Sequence, residues 1–327
     1  MNVHSSISAV LVGLLLAINP SVLMAQEFPS RTIRLVVDGA VGGVNDIWAR
    51  RFAQRMGESM GHSMVVDNRP GALGSIAAES VANSPPDGYT VLFGGLLPLV
   101  ILPMTGGIVR YDPVRSFTPV ATAITGYPLL AVTASFDAAT HTELIQRARA
   151  TPNGLPCATT GQASVHHFAC IIFARAAGIE LRPIPYKASA PALMDVASGQ
   201  IPIGIGYATE LEPFVKDGRI RVLAAFAPAR LAKYPAAPTL DELGYASLDF
   251  RSFSGFYLPA GTPAPIVERL NAETIKAMRR PEMIEWLTAV GGIHTAMSPR
   301  EFADMVHAEQ LRWRKLSEET GIRAEAQ

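Results

Sequence analysis

Three short runs place glycine, serine and other small residues immediately ahead of helix-forming sequence: Gly42-Gly43-Val44-Asn45-Asp46, Gly161-Gln162-Ala163-Ser164 and Ala188-Ser189-Ala190-Pro191. The first N–H groups of a helix have no partner inside it, and that end carries about +0.5 of a charge. Three such ends aimed into one crevice would hold a carboxylate or other anion without Lys or Arg. One of them alone reads as an ordinary capped helix start. Three together point to a binding site.

Nucleophilic chemistry is the competing reading, because Ser164 is followed closely by His166 and His167. A cleft enzyme would use Ser164 or His167 as its reactive group and would need a base beside the serine. The local sequence is Gln162-Ala163-Ser164-Val165-His166, however, and not a Gly-x-Ser-x-Gly elbow. Adjacent helical residues also diverge by about 100°, so both histidines cannot face one nucleophile or one metal. Gly42-Gly43 lacks the third glycine and the acidic partner of a dinucleotide fingerprint, and no Walker sequence is present. The two cysteines form no Cys-x-x-Cys pair and no ligand spacing, so neither metal nor cofactor is expected. Cys157 and Cys170 fall on a consecutive strand and helix, layers about 10 Å apart, whereas a disulfide needs Cα atoms within about 7 Å. Two buried thiols are expected.

The elements that must position these runs alternate strand and helix. Ile33-Arg34-Leu35-Val36-Val37 reads as a buried strand, followed by a helix with the stripe Ala49, Phe52, Ala53, Met56 and Met60. Strands are expected at residues 64–66, 89–93, 129–132, 157–159 and 221–226, with helices between them. Thr140 with Glu143 forms a capping box, and Thr262-Pro263 and Ser298-Pro299 open the C-terminal helices. Such repetition implies parallel strands, right-handed crossovers and an α/β fold of two lobes. The chain has 327 residues, 49% of them hydrophobic, with 28 basic and 28 acidic side chains. A neutral surface of this kind recruits neither nucleic acid nor anionic lipid.

Residues 1–25 lack any Asp, Glu, Lys or Arg and contain an apolar run from Ile7 to Ile18, ending in Leu23-Met24-Ala25. This reads as a signal peptide cleaved after Ala25, too short for a membrane span of about 20 residues. A periplasmic location is expected.

Across nearly the whole remaining chain the sequence resembles the Bug-type periplasmic solute receptors of tripartite tricarboxylate transporters. The resemblance rests on Gly42-Gly43-Val44-Asn45-Asp46, Val66-Asp67-Asn68-Arg69-Pro70-Gly71-Ala72, Pro86-Asp87-Gly88-Tyr89-Thr90 and Tyr111-Asp112-Pro113. It continues through His167, Pro185-Tyr186-Lys187, Ser189-Ala190-Pro191-Ala192, Arg230, Pro238-Thr239, residues 259–265 and Arg312-Trp313. It implies a periplasmic-binding-protein fold of two sheet-and-helix lobes, with residues 26–123 and 226–327 in lobe one and 124–225 in lobe two. Hinge strands would lie near Pro119–Ala123 and Leu223–Phe226. It implies a non-enzymatic, monomeric receptor that captures a small carboxylate or amino-acid-like solute for membrane permease subunits or a sensor. Its implied ligand-contacting set is Asp38, Gly42, Gly43, Asn45, Asp46, Gly161, Ser164, His167, Tyr186, Ser189 and Ala190.

Three ligand-side positions depart from the family pattern. Asp38 and Gly39 stand where a proline and an aromatic are usual, Ala188 replaces a glycine, and Gly206 replaces a frequent aspartate. A like charge close to Asp38 would cost about 4 kcal/mol at an effective dielectric of about 20. A polyanion such as citrate is therefore disfavoured against a monocarboxylate, an amino acid or a neutral solute.

Overall fold

Apart from Arg34, the stretch Ile33–Val37 is wholly apolar, and it forms strand β1, which pairs in parallel on both sides. In the computed structural model, residues 28–324 are described apart from 246, 247, 249 and 294, so the expected signal peptide lies outside the described residues. Helix α1 (Val44–Met60) buries Ala49, Phe52, Ala53, Met56 and Met60 and ends at Gly61, whose φ of 71° suits glycine. Strand β2 (Met64–Asn68), helix α2 (Ser75–Ala82) and strand β3 (Thr90–Gly95) follow. Leu35 pairs with Val66 on one side and Val91 on the other, all strands running parallel.

Strand β4 (Phe117–Gly126) closes this sheet but does not touch β3. Strand β10 (Ser252–Pro259), from far along the chain, inserts antiparallel between them. The order is β2-β1-β3-β10-β4.

The second sheet is built from β5 (Leu129–Thr133), β6 (Leu155–Thr159), β7 (Leu181–Pro185), β8 (Ile203–Gly206) and β9 (Ile220–Ala225). Helices α3 (His141–Ala150), α4 (Val165–Ala177), α5 (Ser189–Ser198) and α6 (Ala208–Lys216) connect its strands. Its order is β7-β6-β8-β5-β9, with β6 parallel to both neighbours and β5 antiparallel to both of its own. The result is a two-lobed α/β fold.

The chain leaves the first sheet between β4 and β5. The return placed at residue 226 falls just past β9, where Ala227 and Leu231 still pack with the second lobe's core. Phe250 N still bonds Phe226 O, and the first sheet is rejoined only at Ser252.

Helices α7 (Ala264–Met278), α8 (Pro281–Ala289) and α9 (Pro299–Thr320) end the fold. The Ser298 hydroxyl accepts from Glu301 N while the Glu301 carboxylate accepts from Ser298 N, the reciprocal capping expected of that sequence. Helix α9 lies along β4 of the first lobe. Its Trp313 ring nevertheless stacks edge-on at 4.9 Å against Phe168 of α4, and Arg175 of α4 donates to the Glu319 carbonyl at 3.0 Å. One helix thus grips both lobes.

Cys157 on β6 and Cys170 on α4 are free, buried thiols. They sit closer than layer spacing suggested, because a strand and its covering helix point these two side chains at each other. Burial and the Cys170 sulfur beside it push the Cys157 thiol up.

Candidate functional site

The strand ends of both sheets open onto one cavity of about 320 Å³ between the lobes. Four helix N-termini reach its lining. Helix α1 contributes Val44 and Asn45, α4 contributes Ser164 and His166, α5 contributes Ser189, and α6 contributes Ala208 and Thr209. The three junctions singled out in the sequence therefore meet, and a fourth at Tyr207–Thr209 joins them.

The first-lobe wall is organised around Asp38, the residue just past β1. The Ser254 hydroxyl donates to Asn45 Oδ1 at 2.9 Å, and Asn45 Nδ2 donates to Asp38 Oδ1 at 2.6 Å. Asp38 Oδ2 accepts only a long bond, 3.4 Å, from Gly95 N. This carboxylate fits because β3 ends in Gly94 and Gly95, at φ of 153° and 135°. A Cβ on Gly94 would lie 2.1 Å from Asp38 Oδ2. Burial raises the Asp38 carboxyl to about 6, against the lowering effect of the Asn45 and Gly95 hydrogen bonds.

The second-lobe wall carries Glu210, on the first turn of α6. Its Oε1 accepts from the Ser189 hydroxyl at 2.6 Å and its Oε2 from Tyr207 N at 2.8 Å. Position 206, where an aspartate was expected from the resemblance, is glycine. A Cβ there would lie 3.4 Å from Glu210 Oε2, so an acid from the neighbouring helix occupies that corner. His166 is 3% exposed and lines the same wall. Its Nδ1 shares a 2.7 Å hydrogen bond with Thr160 Oγ1, and its Nε2 has no protein partner. Burial lowers its pKa, which keeps the ring neutral, although the Glu210 charge works the other way.

Of the expected contact residues, Asp38, Asn45, Ser164 and Ser189 line the cavity. The others are occupied elsewhere. Gly42 N donates to Asp46 Oδ2 at 2.8 Å, and Gly43 N donates to Ala40 O, so the two glycine amides are spent inside their own loop. Asp46 is buried and also pairs with Arg50 at 2.9 Å. Burial alone would raise its carboxyl, but bonds from Arg50, Gly42 and Asn68 hold it below the usual range. Gly161 forms the turn at φ of 85°. The Tyr186 hydroxyl donates to Asp195 Oδ2 at 2.5 Å, within the second lobe. Ala190 and His167 are not on the lining; the angular divergence of adjacent helical residues turns His166 inward instead. Ser164 Oγ caps α4 by accepting from His167 N at 3.1 Å, and neither histidine ring is bonded to it.

Sequence reasoning missed Glu210, Tyr207, Trp48 and Ser254. Glu210 had a readable signal, since a residue at the third position of a helix can return to its N-cap amide. Ser254 had none, because it reaches the site only through β10. Among the described residues, no group of three or more His, Cys, Asp or Glu could hold a metal ion.

Residues 48–322 match the family model described as tripartite tricarboxylate transporter family receptor. The chain belongs to this family. It is 35% identical over 319 residues to a protein from the tcbD-tcbE intergenic region of Pseudomonas sp. (strain P51), covering 96% of this chain and 95% of that one. A structure of R. palustris Rpa4515 with adipate superposes with a TM-score of 0.82 at 33% identity, covering 91% of this chain and 99% of that chain. The periplasmic binding protein BugD gives 0.77 at 26% identity, with 91% and 100% covered. The resemblance to Bug-type receptors thus holds over the whole fold, and a solute receptor is the family's role.

Proposed function

We propose that this receptor works in the periplasm, where it captures a small carboxylate-bearing solute between its lobes and hands it to permease subunits or a sensor. The observation that carries this reading is the convergence of four helix N-termini on one interlobe cavity. Each brings the partial positive charge of its N-terminus to whatever occupies the space. The solved relative with adipate supports a carboxylate as the anchoring group. Binding without turnover is favoured over hydrolysis, because Ser164 Oγ serves as a helix cap and has no imidazole bonded to it. Among the described residues no helix is long and apolar enough to cross a membrane.

Ligand that contacts both lobes favours the closed arrangement. A panel of mono- and dicarboxylates and amino acids, screened by thermal shift and calorimetry, should contain at least one compound that raises Tm in proportion to its concentration. Silence across the panel would overturn the reading. N-terminal sequencing of periplasmic material should begin at or near Gln26, and a start at Met1 would argue against export.

A further inference from the structure

The cavity is lined by two carboxylates, Asp38 and Glu210, one on each wall, and by no Lys or Arg among the described residues. Four helix ends at about +0.5 each roughly cancel two ionised carboxylates, so the empty site is close to neutral. His166 cannot restore a positive charge, since burial holds its ring in the neutral form. A dicarboxylate would enter this space uncompensated. A zwitterion would not.

The two acids are not equivalent. Glu210 has strong donors on both oxygens, at 2.6 and 2.8 Å from Ser189 and Tyr207. Asp38 Oδ2 has only the 3.4 Å amide of Gly95, which leaves its lone pairs available to a cation. Between the polar groups the wall carries an apolar surface, with Trp48, Leu73, Leu97, Ile124, Val165 and Phe253 on the lining.

Building on the receptor reading above, we propose that the cavity selects an amino-acid-like zwitterion with an apolar body. Its protonated amine pairs with Asp38, its single carboxylate lies among the helix ends, and dicarboxylates are rejected. Glu210 adds to the negative potential that draws the amine in, while the apolar walls take the side chain. A charge-assisted N–H···O bond to a poorly hydrated carboxylate gives the preference its strength.

Calorimetry on the mature chain with matched probes tests this. L-Phenylalanine and L-leucine are compared with 3-phenylpropanoate and 4-methylpentanoate, which keep the skeleton and lack the amine, and with adipate. The amine-bearing member of each pair should bind about tenfold or more tightly, with adipate weakest. Asp38→Asn should abolish the preference within each pair, and Glu210→Gln should reduce it. Removing a desolvated charge does not threaten folding, and a retained melting transition confirms that loss of binding is local. Deaminated acids or adipate binding as tightly as the amino acids, or an Asp38→Asn variant with unchanged or raised affinity for the amino acids, would overturn the proposal while leaving a carboxylate receptor intact. No binding by any of these compounds, with heat released by other carboxylates in the wider panel, would overturn it equally. Silence across both panels would remove the receptor reading as well.

Discussion

The two walls of the cleft each present an acid, and they hold it in opposite ways. Glu210 sits in the first turn of α6, where Tyr207 N and the Ser189 hydroxyl satisfy its two oxygens. Asp38 sits past the end of β1, tucked under Gly94 and Gly95, with one good donor and burial enough to raise its carboxyl to about 6. The first acid is part of how its helix begins. The second is a desolvated charge whose cost the fold bears, and such sites are where binding function tends to be found. Charge placed at a helix start stabilises by default, whereas charge placed behind a strand end needs a ligand to explain it.

The largest test acts on the element that sets both walls against each other. Trp313→Ala removes a fully buried ring that joins α9 to Phe168 across the lobes. Loss of a buried Trp should cost about 3–5 kcal/mol. Chemical denaturation would measure this, and a loss under about 1 kcal/mol would mean that the lobes are held together elsewhere.

Asp38→Asn separates the walls directly. Without ligand the variant should be more stable than the parent at pH 8, by about 1–2 kcal/mol after allowing for partial exposure and an imperfect Gly95 contact. The sign follows from a raised folded-state pKa. The native carboxyl binds its proton more readily than the unfolded one, so the Asp38 contribution to stability should fall as pH rises from about 4 through about 6. Asp38 acts electrostatically on Tyr111 and Tyr257, both held protonated by burial across that range, while buried His166 titrates with the opposite sign in parent and variant alike, so the difference between their slopes belongs to Asp38. Melting curves between pH 4 and pH 8 should show the variant gaining on the parent as pH rises through about 6. An identical slope in both would place the titration elsewhere.

Ser189→Ala probes the satisfied acid. Removing its 2.6 Å bond to Glu210 Oε1 should cost about 1.5–3 kcal/mol, the range for a hydrogen bond to a charged group. A stabilising effect would show that Glu210 is as strained as Asp38 and would erase the contrast. Smallest of all, Ser164→Ala removes the α4 cap and should cost about 1 kcal/mol without a change in which solutes bind. A changed order of solute preference would make Ser164 a ligand contact rather than a cap.

Much of the fold was legible because its strands and helices obey local rules. The stripe from Ala49 to Met60, the Thr140–Glu143 box and the Ser298-Pro299 start depend only on neighbours in sequence. Strand β10 was not legible. Its residues Ser252–Pro259 carry no clean alternation, because both faces are covered once it slots between β3 and β4. Ser254 was lost with it, and so was the hydrogen-bond chain to Asn45 and Asp38. Within the site, backbone character was legible and side-chain aim was not. Gly42 and Gly43 looked like free amides until the fold showed them claimed by Asp46 and Ala40. His166 and His167 differ by one position, and only the docking of α4 decides which faces the cavity.

Helix α9 has a mechanical consequence. A receptor whose lobes were joined by strands alone could swing open like two covers on a spine. Here a 22-residue rod, seated along β4, is pinned to the opposite lobe by a tryptophan near its far end. Any wide opening must either tear the Trp313–Phe168 stack or drag the rod across β4, so the travel available to the jaws is short. An insertion that lengthened or softened α9 before Trp313 would loosen the splint, and small-angle scattering would register it as a larger radius for the empty protein. A tag fused beyond Thr320 would in turn ride on a strut anchored in both halves.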